Sequence, residues 1–308
     1  MKAAADFLTA CELCPRRCGV DRSGGKTGYC RAGAQPEVYR YGPHYGEEPP
    51  ISGERGSGTV FFSRCTMRCL YCQNHTWSQE GAGEIVTVDA LTRILRRLAA
   101  DGCHNWNLVS PTPWLPLIRE AIDGARKSGV SLPVVYNTSG FERTETVTEF
   151  RDVADVFLVD LRYSRRRTAE EASGTGSYVD VARAAVKHMW RQAGPLAIGS
   201  DGTAASGVIC RLLILPGRAD EAVENLEWLA AEIGTEIPVS VMAQYLPAHR
   251  ARATPTWDRR ITAEEHARVR ETVERLGFRE GWIQDLAEDP PDELVGFRMK
   301  AGGSALGR

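Results

Sequence analysis

Three cysteines, Cys65, Cys69 and Cys72, lie on one short stretch with the spacing C-x3-C-x2-C. Three thiolates this close in sequence can hold three irons of a [4Fe–4S] cluster and leave the fourth iron without a protein ligand. An iron that is open in this way can bind and reduce a small molecule. Zinc loops more often pair two C-x2-C units, so the spacing favours a cluster over a zinc ion or three unrelated thiols.

A second group of cysteines precedes this stretch. Cys11, Cys14, Cys18 and Cys30 follow the spacing C-x2-C-x3-C-x11-C. A segment this short cannot build an apolar core of its own, so a bound metal would supply its folding energy. Tetrathiolate sites suit zinc and a second iron–sulfur cluster equally well, and the sequence does not distinguish the two. We therefore predict that residues 1–57 form a Cys-rich segment that binds a metal or a cluster.

Apolar, strand-like runs alternate with helix-like stretches from about residue 58. The predicted strands are 59–63, 106–110, 134–137, 156–160, 208–215 and 239–245, and the predicted helices are 90–100, 115–127, 144–153, 178–192, 222–233 and 263–276. Asp89 and Thr262 are predicted N-caps, the second within a capping box that ends at Glu265. Repeated strand–helix units indicate parallel strands joined by right-handed crossovers, which predicts an α/β fold.

We accordingly expect a partial (β/α)6 barrel over residues 58–285 and a flexible tail over 286–308, which has a Gly/Ser-rich end. Ligands of parallel α/β folds bind at the carboxyl ends of the strands. The loop that carries Cys65, Cys69 and Cys72 follows the first predicted strand, so the predicted cluster site lies on the rim where ligands of such folds bind.

Composition narrows the class of protein. The chain has 308 residues, 43% of them hydrophobic, which is enough for one large domain with an appendage. A net charge of −2 gives no indication of a nucleic-acid or membrane partner. The sequence lacks a long apolar run and a signal-peptide pattern, so we expect a cytoplasmic protein. In that compartment, nine cysteines favour metal binding over disulfides.

The run Phe61–Asn74, followed by Thr76 and Trp77, resembles the cluster-binding loop of the radical S-adenosylmethionine (SAM) superfamily, and especially that of pyruvate formate-lyase activating enzymes. The resemblance implies a (β/α)6 core and a [4Fe–4S] cluster whose open iron binds the amino and carboxylate groups of SAM. An electron from the cluster then cleaves SAM to methionine and a 5′-deoxyadenosyl radical. Tyr71 would lie near the adenine. Arg64 departs from the pattern, since the relatives usually carry glycine before the first cysteine.

The resemblance also assigns roles to polar residues after the second and third strands. Ser110 and Thr112 stand where related enzymes hold the SAM amino group, so they are predicted SAM contacts. Asn137 and Ser139 would lie near the ribose hydroxyls and the methionyl part of SAM, for which their side chains are suitable hydrogen-bond partners. An ordinary proline turn and an ordinary strand-to-helix turn are the alternative interpretations of these two segments.

Charged residues follow the fourth strand and interrupt the fifth. Asp160 and Arg162 are two apart, so in extended chain they share one side. They resemble the Asp-Leu-Lys of activating enzymes that organises the SAM carboxylate, and a rim salt bridge is the alternative. Arg211 lies in an apolar strand and needs an anionic partner, which the resemblance makes the SAM carboxylate. Cys210 would then face the helices, and we expect Cys210 and Cys103 to be packed thiols.

The sixth strand and the histidines give weaker signals. Activating enzymes tend to have a histidine directly after the tyrosine that matches Tyr245, and this chain has Leu246 there. None of His75, His104 and His249 has ligand spacing to another, so we expect each to be structural or to face solvent.

These observations predict a radical SAM enzyme similar to pyruvate formate-lyase activating enzymes, in which the protein places the cofactors and excludes water. The implied partners are a reductant such as flavodoxin or ferredoxin and a glycyl-radical enzyme. One alternative is a biosynthetic radical SAM enzyme, an epimerase or dehydrogenase that acts on a small molecule or peptide. Another is a non-catalytic iron–sulfur or zinc protein, either an electron carrier or a scaffold that does not bind SAM. The specific activity rests on analogy.

Overall fold

The computed structural model describes residues 3–286. The helices are α1 (Ala4–Thr9), α2 (Pro49–Ser52), α3 (His75–Ser78), α4 (Val88–Ala100), α5 (Leu115–Lys127), α6 (Thr144–Glu149), α7 (Arg166–Ser173), α8 (Tyr178–Ala193), α9 (Ala219–Glu232) and α10 (Ala263–Leu276). The strands are β1 (Glu37–His44), β2 (Ser57–Phe62), β3 (Glu84–Ile85), β4 (Trp106–Val109), β5 (Val134–Thr138), β6 (Val156–Asp160), β7 (Ala197–Ile198), β8 (Ala204–Leu213), β9 (Val239–Met242) and β10 (Gly281–Ile283). Short 3-10 turns occupy Thr112–Trp114 and His249–Ala253.

One sheet organises the described chain, in the order β10-β9-β8-β6-β5-β4-β2-β1-β3, with β7 paired to β8. The strands from β2 to β10 on this path are all parallel, whereas β1 pairs antiparallel with β2 and β3 pairs antiparallel with β1. The six predicted strands correspond to β2, β4, β5, β6, β8 and β9. The predicted α/β class, with repeated strand–helix units around a mainly parallel sheet, is therefore confirmed.

The parallel strands are covered by helices because they are apolar on both faces. Every residue of β5 and β6 is buried, as expected for strands at the centre of a parallel sheet. The amphipathic helices α4 and α5 pack against each other and bury an apolar stripe that includes Leu91, Leu95, Ile118 and Ile122. The sheet and its helices thus hold the carboxyl ends of the strands in fixed positions.

Helix boundaries follow the local capping chemistry. Thr262 caps α10 and forms the predicted capping box with Glu265, and Gly277 ends that helix in the left-handed conformation. The N-cap predicted at Asp89 is wrong, because the Thr87 side chain accepts the hydrogen bond from the Ala90 amide and α4 begins at Val88. Asp89 lies instead in the first turn, where its charge complements the helix dipole.

Both ends of the described chain add strands to the main sheet. Strand β1 belongs to the first 57 residues and joins the main sheet, so part of the predicted Cys-rich segment is continuous with the barrel strands. Strand β10 adds a parallel strand beyond the six expected. The predicted tail, 286–308, lies outside the described residues apart from its first residue. None of the helices between residues 3 and 286 is long and apolar enough to cross a membrane.

Candidate functional site

The loop after β2 carries Cys65, Cys69 and Cys72. It begins at Arg64, whose φ of +72° is in the left-handed region that glycine adopts most easily. The side chain of Arg64 pairs with Glu37 of β1 at 2.7 Å, and this buried ion pair anchors the arginine in that conformation. The structure therefore explains how arginine occupies the position that is usually glycine in related loops.

Hydrogen-bond donors surround the sulfur atoms of this loop. Arg162 Nη1 lies 3.0 Å from Cys69 Sγ, and the Ser173 hydroxyl donates to the same sulfur at 3.1 Å. The Ser78 hydroxyl lies 3.2 Å from Cys72 Sγ. Burial, with a smaller contribution from nearby Cys69, raises the pKa of Cys72 to about 12. Without a metal this thiol therefore keeps its proton at neutral pH, and ligation to a metal would release that proton.

A cavity of about 320 Å³ opens beside the three cysteines. The residues predicted to contact a cofactor line this cavity, with the exception of Thr112; they are Tyr71, Ser110, Asn137, Ser139, Asp160, Arg162 and Arg211. These side chains lie in the cysteine loop and in or directly after β4, β5, β6 and β8, and the parallel sheet brings them to one rim. The site predicted from strand ends is thus a single cavity in the structure.

Asp160 lies between two guanidinium groups inside this cavity. Arg162 Nη2 is 2.7 Å from one oxygen of its carboxylate, and Arg211 Nε is 2.8 Å from the other. Burial alone would raise the pKa of Asp160, but Arg211 and Arg162 hold it below its ordinary value. The carboxylate therefore stays ionised and orients both arginines, and the predicted pairing of Asp160 with Arg162 is present.

Arg211 has partners that the sequence argument did not identify. In addition to Asp160, it contacts Glu47 at 3.1 Å and donates to the Asn137 side-chain oxygen at 2.7 Å. The expectation that the SAM carboxylate would be the anionic partner of Arg211 therefore needs correction, because two protein carboxylates already neutralise this buried cation. Arg211 connects β5, β6 and the β1–α2 connection, and its direct role is to position the groups around it.

Thr112 does not line the cavity and is directed elsewhere. Its hydroxyl donates to Glu142 Oε1 at 2.6 Å, and the hydroxyl of Thr138 donates to the same oxygen at 2.5 Å. Burial raises the pKa of Glu142 to about 7. The predicted SAM contact at Thr112 therefore has a different structural explanation, since this threonine stabilises a buried carboxyl group behind the strand ends.

Sequence reasoning missed two acidic residues of the cavity, Glu47 and Glu48. Both follow β1 within the segment that had been interpreted through its cysteines alone, and no spacing pattern marks them. Glu48 is only 8% exposed, and its Oε2 has no hydrogen-bond partner within the described part of the chain. Burial raises the pKa of Glu48. Asn74 Oδ1 is a second cavity-lining oxygen that no described group satisfies.

Part of the chain around this cavity is similar to a known protein family. Residues 59–191 match the family model of the radical SAM superfamily. This part of the chain is therefore similar to radical SAM domains. The three cysteines, Tyr71 and the Asp160–Arg162 pair all lie within the matched residues. Arg211, which contacts Asp160, lies outside that range, as does Glu47.

Individual proteins that are similar to this chain match different shares of it. An uncharacterized protein of Methanocaldococcus jannaschii is 26% identical over 287 residues, which is 90% of this chain and 78% of that protein. Pyruvate formate-lyase 1-activating enzyme of Escherichia coli is 24% identical over 126 residues, covering 39% of this chain and 50% of the enzyme. The solved structure of HydG, a maturase of the [FeFe]-hydrogenase, shares the fold with a TM-score of 0.51 and 15% identity, over 73% of this chain and 50% of HydG.

The radical SAM family implies a [4Fe–4S] cluster and SAM, and the residues around this cavity fit both. Thiolates that bind a cluster are anionic, and the donors from Arg162 and Ser173 meet that requirement at Cys69. Glu48 and Asn74 also line this cavity, and each has one buried oxygen without a hydrogen-bond partner among the described residues.

The four N-terminal cysteines do not line this cavity. They lie on turns between residues 11 and 30, and among the described residues all nine cysteines are free of disulfides. Cys103 and Cys210 are buried at 2% and 0% exposure and do not line the cavity, as expected for packed thiols.

Two of the histidines without ligand spacing in the sequence are in contact in the structure. The rings of His75 and His249 stack with centroids 4.7 Å apart, and Glu80 Oε1 lies 3.7 Å from His75 Nε2. The two histidines are distant in sequence, so no local spacing could have indicated the contact. His104 lies elsewhere, where it contacts Asp201 and Arg55.

Proposed function

We propose that this protein cleaves SAM reductively at a cluster held by Cys65, Cys69 and Cys72. The observation that carries the proposal is the convergence of three loop thiols on one cavity together with the Asp160–Arg162 pair. When bound, the cluster and SAM supply a one-electron cleavage that yields methionine and a 5′-deoxyadenosyl radical. The remaining chemistry belongs to the protein, which binds, orients and shields the reacting groups.

Arg162 has two functions in this proposal. Its Nη1 donates to Cys69 Sγ, and its other terminal nitrogen is fixed by Asp160. A guanidinium at this position neutralises part of the thiolate charge and is positioned to attract the carboxylate of SAM. Asp160 keeps the guanidinium in place because it is itself anchored by Arg211. The proposed cofactor contacts at Ser110, Asn137 and Ser139 complete the polar wall.

Aromatic side chains form the wall next to Tyr71. The Tyr71 ring stacks on Trp257 with centroids 5.4 Å apart, and the hydroxyls of Tyr71 and Tyr163 are 2.8 Å apart. All three side chains are at most 5% exposed. A rigid, buried wall of this kind would keep water from the radical and would present a flat apolar surface to an adenine ring.

For the hydrogen donor, the first candidate is a glycyl-radical enzyme, as for the activating enzymes. The support is the 24% identity to pyruvate formate-lyase 1-activating enzyme over 126 residues, a stretch that covers 50% of that enzyme. A reductant such as flavodoxin or ferredoxin would then provide the electron, and the loop of the partner would enter the cavity.

A small molecule is the second candidate, and Glu48 favours it. A carboxylate that is 8% exposed, with one oxygen unsatisfied, is costly unless a ligand binds it. A substrate with a primary amine or another hydrogen-bond donor would supply the missing partner. This candidate includes epimerases and dehydrogenases of biosynthetic pathways.

Anaerobic reconstitution with iron and sulfide tests the SAM cleavage directly. Dithionite and SAM are added, and 5′-deoxyadenosine and methionine are followed by mass spectrometry. We expect both products from the wild type and neither from Cys69→Ala; Cys103→Ala, which removes a buried thiol outside the cavity, should behave as the wild type. If the wild type binds a full cluster and releases no deoxyadenosine, the proposal is refuted.

A second experiment distinguishes the two hydrogen donors. A cell extract is separated into a small-molecule filtrate and a protein fraction, and each is added to the deoxyadenosine assay. Stimulation by the protein fraction alone supports the activating-enzyme function. Stimulation by the filtrate, reduced in Glu48→Gln, supports an amine-bearing small molecule.

A further inference from the structure

The four N-terminal thiols lie near one another and outside the cavity. Backbone hydrogen bonds from Cys11 to Val20 and from Gly19 back to Cys11 fold the segment on itself. At Gly28 a Cβ atom would lie 2.7 Å from Cys18 Sγ, so only glycine lets the chain pass this close to the sulfur. The segment is therefore shaped around its cysteine side chains.

A buried arginine indicates that this group carries negative charge. Arg22 is 1% exposed, and its guanidinium donates to the backbone oxygens of Gly33 and Pro113. Its Nη1 lies 3.8 Å from Cys11 Sγ, and no carboxylate within residues 3–286 pairs with it. A buried cation is costly without an anionic neighbour. Four thiolates around a metal centre would provide that neighbour.

The spread of the sulfur atoms indicates the type of centre. Tetrahedral zinc, with Zn–S bonds of about 2.3 Å, brings its thiolates within roughly 4 Å of one another. Between residues 3 and 286, no three of these four sulfurs lie mutually within 4.8 Å. The same holds for Cys65, Cys69 and Cys72, the proposed ligands of the SAM-binding cluster. The wider spacing suits a cubic cluster better than a single ion.

Direct contacts connect the two cysteine groups. Tyr29 donates its amide to Cys18 Sγ at 3.4 Å and its hydroxyl to the Ser173 carbonyl at 3.4 Å. The Ser173 hydroxyl donates in turn to Cys69 Sγ at 3.1 Å. Two residues thus bridge a sulfur of one group to a sulfur of the other.

Arg16 adds a second connection. It lies between Cys14 and Cys18 in the chain, and its guanidinium donates to the carbonyl of Thr66, directly after Cys65, at 3.3 Å. It also donates to the carbonyl of Ser173 at 2.8 Å. Separate contacts therefore fix the N-terminal segment against the cluster loop and against the end of α7.

We propose that Cys11, Cys14, Cys18 and Cys30 hold a second [4Fe–4S] cluster that passes electrons to the cluster at Cys65, Cys69 and Cys72. In each transfer the second cluster is oxidised by one electron and the SAM-binding cluster is reduced by one. A one-electron donor protein of the flavodoxin or ferredoxin class then reduces the second cluster again. The relay rests on the proposed function, whereas the presence of the second cluster does not.

Metal content in a variant without the SAM-binding thiols tests the cluster independently of SAM cleavage. The full-length chain with Cys65→Ala, Cys69→Ala and Cys72→Ala is reconstituted anaerobically, and iron and zinc are measured. We expect about four irons per chain in this variant and about eight in the wild type. The reduced variant should give the electron paramagnetic resonance (EPR) signal of a [4Fe–4S] cluster. One zinc per chain, or no metal, would overturn the proposal whatever the outcome of the deoxyadenosine assay.

The relay is tested by the converse variant, Cys14→Ala with Cys30→Ala, with Cys103→Ala as the matched control. We expect the converse variant to keep about four irons. With reduced flavodoxin as donor, its deoxyadenosine formation should fall at least about tenfold, while dithionite should still support cleavage. An unchanged rate with flavodoxin would overturn the relay. If that variant does not fold, Tyr29→Phe is used instead, because it removes only the hydroxyl contact to Ser173. Tyr29→Phe should slow the flavodoxin-driven reaction more than the dithionite-driven reaction. Equal effects on the two reactions would refute the relay.

Discussion

Replacing Arg162 by glutamine is expected to lower the reduction potential of the SAM-binding cluster. Arg162 Nη1 donates to Cys69 Sγ at 3.0 Å, and its side chain is 23% exposed. In this variant the Asp160 carboxylate still has a cationic partner, because Arg211 lies 2.8 Å from it. The substitution therefore removes a donor and a charge from the sulfur while the local fold is retained.

The magnitude follows from the strength of that contact. A hydrogen bond to a charged group contributes about 1.5–3 kcal/mol, and it strengthens when reduction adds negative charge to the cluster. If roughly 1–2 kcal/mol of this contribution is specific to the reduced state, the potential falls by about 40–90 mV, since 59 mV corresponds to a tenfold change for one electron.

The assay is a redox titration followed by EPR, read on the signal that is absent in Cys69→Ala. Arg162→Lys is the matched control, because it keeps the charge and loses the planar fork, and its potential should lie between wild type and Arg162→Gln. A potential that is unchanged or more positive in Arg162→Gln would show that the guanidinium does not stabilise the reduced cluster.

Three further predictions concern the groups around both sites. Burial raises the pKa of Glu142 to about 7, so the folded protein holds this proton more tightly than the unfolded chain does. The free energy of unfolding should therefore fall by up to about 3 kcal/mol as the pH rises from 4.5 to 7. In Glu142→Gln, urea unfolding between pH 5 and 8 should show a flatter decline. Arg211→Met should lower the free energy of unfolding by about 3–5 kcal/mol, because it leaves a buried carboxylate, Glu47, without its cation. Gly28→Ala should expel the N-terminal metal, because its Cβ would displace Cys18 Sγ, while the iron of the SAM-binding cluster is retained.

Each of these predictions has a result that contradicts it. A wild-type pH profile in Glu142→Gln would mean that this carboxyl group is not protonated in the fold. A stability of Arg211→Met within about 1 kcal/mol of wild type would show that Glu47 finds another partner or takes up a proton. For Gly28→Ala the control is Gly33→Ala, where an added Cβ meets no atom within 4 Å; equal metal content in both variants would refute the steric argument.

The sequence was sufficient for those features that depend on local pattern. The buried runs of β5 and β6 predict central parallel strands because both of their faces are apolar. The capping box at Thr262 and the cysteine spacing are likewise local, so both could be recognised without knowledge of the rest of the fold.

The remaining features arise from long-range contacts. Glu47 and Arg211 are 164 positions apart in the sequence, and His75 and His249 are separated by a similar distance along the chain. No sequence periodicity could therefore predict either contact. Strand β10 spans only Gly281–Ile283 and gains its place by pairing with β9, not from its own propensity. Thr112 has a suitable hydroxyl and a suitable position, yet the buried Glu142 offers it a stronger acceptor than the cavity does.

The most direct test of the central claim is EPR of the reduced protein with isotope-labelled SAM. The claim is that Cys65, Cys69 and Cys72 leave one iron open and that SAM binds there through its amino and carboxylate groups. SAM labelled with nitrogen-15 in the amino group should add a hyperfine coupling to the cluster signal, and Cys69→Ala should lack both the signal and the coupling. A cluster signal that is identical with labelled, unlabelled and no SAM would contradict the account.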